Sequence, residues 1–271
     1  MASQEETISD AVQQLNLNEA RSAPPPPISI LPVLDTNQKL GGGNSGNVFT
    51  ATWTVAVKRI QLCNIKNNNE EVALKKLNHP NVVKLFHVYC DSVFKHYALE
   101  FCHTSMDQLF HHGEEAQKNY REKMPPEEKV CLQLAKGLAY IHEKGLIHRD
   151  LKPENVLIWV DSTGEKVLMK WADFEQCVPV DENGCYTIID VSEVGTPDWN
   201  APELVQIQKD GNETAPGTVK SDVFSQGLVF GYYILGGRHP YPEENIMQYI
   251  LDSKPENLKG ICRPTHFKNI I

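Results

Sequence analysis

The first part of the sequence that could bind a phosphorylated ligand is a glycine-rich segment at residues 39–49. Its glycines follow the spacing G-x-G-x-x-G and are Gly41, Gly43 and Gly46. Taken alone, this spacing is as typical of a hairpin turn that needs positive φ as of a phosphate-binding loop. The glycines lie between two strand-like runs, whereas a dinucleotide-binding fold needs them at the start of a helix. Lys58, in the run VAVK of the next strand, could reach nucleotide phosphates and therefore favours a phosphate-binding loop.

A second run whose residue types could carry out catalysis lies at residues 148–158 and has the sequence HRDLKPENVLI. It resembles the catalytic loop of eukaryotic protein kinases, and the lysine two residues after the aspartate is typical of the serine/threonine type. The resemblance implies that Asp150 orients the substrate hydroxyl and accepts its proton. It also implies that Lys152 stabilises charge on the moving phosphoryl group and that Asn155 holds a magnesium ion.

Further kinase motifs follow in the order that the family shows. Residues 173–175 (DFE) stand where the family has Asp-Phe-Gly, so the resemblance implies that Asp173 bridges Mg²⁺ to the phosphates. The sequence APE at residues 201–203 closes an activation segment that begins at Asp173. Asp222 opens an apolar helix that, by the same resemblance, supports the catalytic loop.

In this family the strand lysine pairs with a carboxylate on a helix of the same lobe. The asparagines at residues 67–69 could cap such a helix. Glu70 is the first choice for the partner of Lys58, because it shares a helix face with Leu74 and Leu77. Glu71 is the adjacent alternative.

Finer similarities point to one group of kinases. The chain resembles the kinase domains of the unfolded-protein-response kinase–endoribonuclease sensors in YALEFC at 97–102, DFEQC at 173–177, GTPDWNAPE at 195–203 and FSQGLVF at 224–230. The oligoadenylate-activated ribonucleases, which are related to these sensors, also depart from the glycine of Asp-Phe-Gly. The kinase resemblance covers roughly residues 38–250.

The resemblance also implies a binding site for ATP and Mg²⁺. Leu99 would be the gatekeeper residue, and backbone groups of Glu100 and Cys102 would form hydrogen bonds with adenine. The implied nucleotide-binding residues are Leu40, Gly41, Gly43, Gly46, Val48, Ala56, Lys58, Glu70, Leu99, Glu100, Cys102 and Asn155. The implied metal ligands are Asn155 and Asp173.

Hydrophobic patterns predict the elements that position these residues. β-favouring runs at 48–57, 81–88 and 96–101 predict strands. Apolar residues at helical spacing predict a helix that begins at residue 126 and ends at Gly145. Residues 222–235 are apolar almost all round, which predicts a helix buried inside a large lobe.

Together these elements predict an α+β, bilobal protein-kinase fold. The small β-rich N-lobe is expected at residues 35–101 and the larger, mainly helical C-lobe at 102–271. Residues 1–34 are predicted to form a disordered tail outside the core, because they include four successive prolines at 24–27.

Two departures from the family pattern stand out. Glu175 replaces glycine and adds bulk, charge and a restriction on φ beside Asp173. The C-lobe is expected to lack its last helices, because the sequence stops shortly after the helix expected at 246–251. This shortening predicts that some apolar residues of the helix at 222–235 are uncovered, and an uncovered patch predicts self-association.

Composition excludes several other classes of function. The 35 acidic residues outnumber the 26 Lys and Arg residues and give a net charge of −9, which argues against direct nucleic-acid binding. No apolar stretch approaches the ~18–20 residues that a membrane span requires. The seven cysteines form no CxxC pair and, with an acidic N-terminus unlike a signal peptide, predict reduced thiols in a cytoplasmic protein.

The sequence therefore predicts a serine/threonine protein kinase that transfers the γ-phosphate of ATP to protein hydroxyls, including its own. Retention of Lys58, Asp150, Asn155 and Asp173 favours catalysis. Two alternatives stay open at this point. One is a pseudokinase that binds nucleotide as a conformational switch, and the other is a regulatory kinase-like fragment of a kinase–endoribonuclease receptor.

Overall fold

The computed structural model describes residues 33–43, 46–52, 54–110, 120–188, 195–211 and 215–259. Most of the predicted tail at 1–34, with its proline run, lies outside the described residues. The chain divides into two units, Met1–Thr52 and Trp53–Ile271, which are described in turn.

The first unit contributes a β-hairpin of two antiparallel strands, β1 (Val33–Gly43) and β2 (Gly46–Thr52). Gly43 lies opposite Gly46 at the end of the hairpin, and the strand register shifts twice before the glycines are reached. Such shifts bend and twist a strand locally. The hairpin carries the predicted phosphate-site residues Leu40, Gly41, Gly43, Gly46 and Val48.

The second unit begins with an antiparallel sheet formed by β3 (Val55–Gln61), β4 (Leu85–Cys90) and β5 (Phe94–Glu100), in the order β3-β5-β4. The strand predicted at 81–88 begins four residues late. The reason is that its first half pairs elsewhere: Trp171 donates its backbone N–H to Asn81, and Val83 donates to Trp171 at 2.9 Å.

The helix α1 (Asn69–Lys76) follows β3, as predicted. It buries Glu70, Ala73 and Leu74, which occupy one face at the helical spacing i, i+3 and i+4. The first turn carries acidic residues and the last turn carries lysines, an arrangement that suits the helix dipole.

A mainly helical part follows the sheet. Helices of the described residues include α2 (Met106–Phe110), α3 (Glu127–Glu143), α4 (Pro202–Asp210), α5 (Val219–Ile234) and α6 (Ile246–Leu251). The helices α3 and α5 match the two predicted from apolar spacing and pack against each other in the core. A β-rich part that precedes a mainly helical part confirms the α+β prediction.

Short strands hold the loops between these helices. They are β6 (Thr104–Ser105), β7 (Leu146–Ile147), β8 (Val156–Val160), β9 (Val167–Trp171), β10 (Val178–Pro179), β11 (Cys185–Ile188) and β12 (Ala215–Thr218). They form one sheet in the order β6-β8-β9 and two pairs, β7 with β10 and β11 with β12. The pairs tie the segment after Asp173 to the helical part at two places.

The prediction that some apolar residues of the helix at 222–235 are uncovered holds for Val223 and fails for three others. Leu228, Val229 and Tyr232 are at most 8% exposed, and only Val223 is largely exposed, at 50%. Leu228 packs in a cluster that includes Ile250 of α6, while the ring of Phe110 on α2 packs edge-on against Tyr232. Elements already present in the chain therefore supply the cover.

No helix within the described ranges is long and apolar enough to cross a membrane.

Candidate active site

Lys58 lies at the centre of a charged cluster that joins three distant parts of the second unit. Its Nζ atom is 2.8 Å from Glu70 Oε1 on α1 and 2.8 Å from Asp173 Oδ1 after β9. Burial alone would lower the pKa of Lys58, but the two carboxylates outweigh burial and raise it above its ordinary value. The amine therefore stays charged and available to a phosphate.

The same cluster resolves the choice between the two neighbouring glutamates of α1. Glu71 faces away from Lys58 and pairs with Lys75 at 2.5 Å and Lys95 at 2.6 Å. Glu70 is buried, and burial raises its pKa while Lys58 opposes that increase. The helix presents Glu70 to the sheet lysine because Glu70 shares the buried face with Leu74.

A cavity of about 290 Å³ opens beside this cluster. Among the predicted nucleotide-binding residues, the cavity is lined by Ala56, Lys58, Glu70, Leu99, Glu100, Cys102 and Asn155. Asp173 lines it as well. The cavity combines apolar walls with a charged end, which suits a ligand with an aromatic base and phosphates.

The sequence analysis did not assign to the site five residues that line this cavity: Leu74, Val83, Glu154, Leu157 and Ala172. Leu157 lies on β8, two residues after Asn155, which ends the short 3-10 turn before that strand, so its closeness in the chain to Asn155 could have indicated it. Ala172 precedes Asp173 and could have been found by its position. Nothing in the local pattern around Val83 indicates its role, because the long-range contact with Trp171 brings it there.

The catalytic-loop residues form a compact hydrogen-bonded group. Asp150 Oδ2 lies 2.9 Å from Lys152 Nζ, and Asn155 Nδ2 donates to the same oxygen at 3.1 Å and to the Asp150 carbonyl at 2.8 Å. Thr196 of the activation segment donates its hydroxyl to Asp150 Oδ1 at 2.7 Å and accepts from Lys152 Nζ at 2.8 Å. The Thr196 hydroxyl therefore reaches the carboxylate that the kinase resemblance implies as the proton acceptor.

Asp222 in the first turn of α5 supports this group through the backbone of the two residues before Asp150. Its side chain is buried and accepts the backbone N–H groups of His148 at 2.8 Å and of Arg149 at 2.9 Å. It also contacts His142 Nε2 at 2.9 Å. The two backbone hydrogen bonds fix the chain immediately before Asp150.

The segment after β9 holds Asp173 with its carboxylate turned towards Lys58. Asp173 has φ of 64°, a left-handed conformation that is costly for a residue other than glycine. Phe174 is fully buried, and its ring centroid lies 4.8 Å from that of His148. Burial lowers the pKa of His148 below its ordinary value, so the ring that meets Phe174 is neutral. Packing of Phe174 thus offsets the cost of the Asp173 conformation.

Glu175 occupies the glycine position without the backbone strain that the sequence suggested. Among the described residues, the non-glycine positions with positive φ are Arg149, Asp173 and Ser253, so Glu175 keeps negative φ. Its turn is closed by a hydrogen bond from Cys177 N–H to the Phe174 carbonyl at 3.1 Å. The side chain is exposed, and its negative charge contributes to raising the pKa of Glu70.

The oxygen atoms that Asn155 and Asp173 present would suit a hard cation whose remaining ligands come from a bound phosphate. Asn155 uses its amide nitrogen for Asp150, which leaves Oδ1 as the ligand atom, and Asp173 supplies a carboxylate. Oxygen ligands of this kind suit Mg²⁺, which usually takes one or two protein ligands plus phosphate and water. In the part of the chain that is described, no three His, Cys, Asp or Glu side chains gather as a metal cluster.

Comparisons with known proteins agree with this geometry. The model of a family described as "Protein kinase domain" matches residues 34–268. The chain is similar to the human serine/threonine-protein kinase/endoribonuclease IRE2, with 33% identity over 74% of this chain and 22% of the relative. It is also similar to calcium-dependent protein kinase 5 of Plasmodium berghei (strain Anka), with 31% identity over 76% of this chain and 35% of the relative.

The serine/threonine-protein kinase/endoribonuclease IRE1 of Hypocrea jecorina (strain QM6a) is 29% identical over 77% of this chain and 19% of the relative. The chain thus spans between about a fifth and about a third of the length of these curated relatives.

Proposed function

Because the chain belongs to the protein kinase family, we propose that it transfers the γ-phosphate of ATP, with Mg²⁺, to serine or threonine hydroxyls of protein substrates, including its own. The observation that carries the proposal is that Lys58, Asn155 and Asp173 line one cavity, while Asn155 holds the Asp150 carboxylate next to it. The serine/threonine preference is supported by Lys152 and by the names of the related kinases.

Each residue has a role that its contacts allow. Lys58, held by Glu70, would bind phosphate oxygens, while the backbone of Glu100 and Cys102 would bind adenine below the gatekeeper Leu99. Asp150 would orient the incoming hydroxyl and accept its proton, and Lys152 would offset charge on the transferred group. Asn155 and Asp173 would hold Mg²⁺, which neutralises charge on the phosphates when it is bound.

Binding of Mg·ATP should raise the melting temperature of the chain, because a ligand that binds only the folded state stabilises it by mass action. Asp173→Ala should remove the part of the shift that depends on magnesium, since the variant loses a metal ligand. Thermal unfolding with ATP, with and without Mg²⁺, measures both effects. The exposed Asp252→Ala serves as the matched control. A well-folded wild type without a shift at millimolar Mg·ATP would contradict the proposal.

Glu175→Gly should raise the turnover rate and change it more than the dissociation constant of ATP. Glycine restores rotational freedom to the peptide after Phe174 and removes a negative charge near the phosphate site. Glu175→Gln separates the two causes, because it removes the charge and keeps the backbone restriction. Steady-state kinetics of the three proteins decides the point. Identical kinetics would show that Glu175 is neutral, and a large loss in both variants would indicate that Glu175 helps to bind metal.

Glu175 is also the observation that favours a second candidate function, a pseudokinase or regulatory kinase-like module that binds nucleotide without appreciable transfer. Two of the related proteins carry endoribonuclease in their names, so such a module could serve an attached domain. A thermal shift with Mg·ATP but no incorporation of labelled phosphate would select this function. Self-association belongs to the same proposal and is measured by light scattering at several concentrations.

A further inference from the structure

An aromatic ring of the activation segment contacts the catalytic loop at Arg149. The guanidinium carbon Cζ of Arg149 lies 5.4 Å from the centroid of the Tyr186 ring on β11. This distance is inside the range of about 6 Å in which the face of an aromatic ring attracts a cation. Tyr186 is only 8% exposed. Shielding from water strengthens the attraction, because the local dielectric constant is low.

Arg149 is a residue whose conformation has to be maintained by its contacts. Its φ is 71°, in the left-handed region, which is unfavourable for a residue with a side chain. Asp222 holds its N–H group, as described above. On the other side, a Cβ atom at Gly195 would lie 2.5 Å from the Arg149 carbonyl oxygen, so this oxygen packs where only glycine fits. Asp150 comes next in the chain, so the conformation of Arg149 decides where the Asp150 carboxylate points.

Tyr186 and Gly195 both belong to the activation segment and lie next to different parts of Arg149. Tyr186 contacts the guanidinium, and Gly195 contacts the carbonyl. Arg149 is therefore one contact point between the activation segment and the catalytic loop, beside the hydrogen bond between Thr196 and Asp150.

The position of the Tyr186 ring depends on a second glycine. Tyr186 lies opposite Gly217 in the β11–β12 pair. A Cβ atom at Gly217 would come within 2.3 Å of the ring, so the ring fills the space of a side chain at that position. Ile147, Ile188 and Leu204 pack around the ring in one buried cluster. The ring is thus fixed on the side away from Arg149.

We propose that Tyr186 is a positioning residue for phosphoryl transfer, whose ring holds the Arg149 guanidinium and joins the activation segment to the catalytic loop. The inference rests on the proposed kinase function. In kinases that are switched on by phosphorylation, a new phosphate–arginine pair orders the activation segment. Here the ring supplies an attraction for the arginine, and we expect the active arrangement to require no phosphate between Tyr186 and Thr196.

The experiment uses the full chain with Thr187→Ala and Ser192→Ala as the background, which removes the hydroxyl groups between Tyr186 and Thr196. Ser192 lies outside the described residues. This background should retain the turnover of the wild type. Tyr186→Phe keeps the ring and should leave kcat unchanged. Tyr186→Leu removes the aromatic face and should lower kcat about tenfold at unchanged KM for ATP, equivalent to about 1.4 kcal/mol.

Two further variants separate positioning from simple stability. If Tyr186 acts through Arg149, Tyr186→Leu should lower kcat no further in a chain that already carries Arg149→Met. Gly217→Ala should lower kcat while Tyr186 is still present, because the new methyl group displaces the ring. Gly227→Ala is the matched control, since a Cβ at Gly227 meets no atom within 4 Å.

A wild-type kcat in Tyr186→Leu would overturn the inference, as would loss of activity in the Thr187→Ala/Ser192→Ala background. Failure of both Tyr186→Leu and Gly217→Ala to fold, while Tyr186→Phe folds, would also overturn it in favour of a purely structural role. Absence of phosphoryl transfer in the wild type itself would instead overturn the proposed function, and the inference with it.

Discussion

Asp150→Asn should lower the rate of phosphoryl transfer by about 10²–10⁴-fold, the range that a positioned general base contributes. Asparagine has nearly the same shape as aspartate, so the contacts of the residue with Asn155 and Thr196 can persist in altered form. The amide cannot accept the proton of a substrate hydroxyl, and the loss should therefore fall on kcat. The dissociation constant of Mg·ADP should stay close to that of the wild type, because Asp150 does not line the nucleotide cavity.

The measurement is incorporation of radiolabelled phosphate beside calorimetric titration with Mg·ADP. Asp252→Asn is the matched control, because it makes the same chemical change at a carboxylate whose ion pair with Lys254 is on the surface. Equal incorporation by the wild type and Asp150→Asn would show that another residue or a contaminating kinase performs the transfer. Loss of Mg·ADP binding in Asp150→Asn would show that the variant disturbs the site more widely.

Asp222→Ala should produce the largest loss of stability among single changes near the site. The Asp222 side chain is buried and accepts backbone N–H groups from two successive residues, His148 and Arg149. Leaving a buried polar group without a partner costs about 1–3 kcal/mol, so the two groups together cost about 2–6 kcal/mol. Because total stabilities are about 5–15 kcal/mol, this loss is a large share of the whole. Transfer activity should also fall, since Arg149 precedes Asp150.

Urea unfolding of wild type, Asp222→Ala and Asp222→Asn measures the effect. Asparagine keeps one acceptor oxygen, so Asp222→Asn should lose less free energy of unfolding than Asp222→Ala. Ser221→Ala is a useful neighbour control, because Ser221 is also buried but bonds the Thr218 carbonyl outside the catalytic loop. A loss below about 1 kcal/mol in Asp222→Ala would contradict the role given to this carboxylate.

Local sequence determined those features that depend on contacts between near neighbours. The glycine spacing around Gly43, the run at 148–158 and the order of the motifs were sufficient to indicate the family and its α+β fold. The approximate positions of α3 and α5 followed from apolar spacing, because a helix repeats its buried face every three or four residues. In the same way, Asn155 lies within reach of Asp150 because the two are close in the chain.

Tertiary structure decided the features that depend on which surface an element meets. Glu70 and Glu71 are adjacent and chemically identical, and only the packing of α1 on the sheet turns Glu70 to Lys58 and Glu71 to Lys95. The covered state of Leu228 depends likewise on α6, which the sequence does not show to be close.

The contacts that join the activation segment to the catalytic loop were also decided by tertiary structure. Thr196 is 46 positions from Asp150 in the chain, and their hydrogen bond exists because the folded segment returns to the loop. The ring of Tyr186 meets Arg149 only because β11 pairs with β12, where Gly217 leaves room for it. The residue types in the sequence determine which chemical groups are present at these positions. The fold decided which of them meet, because such contacts depend on the packing of elements far apart in the chain.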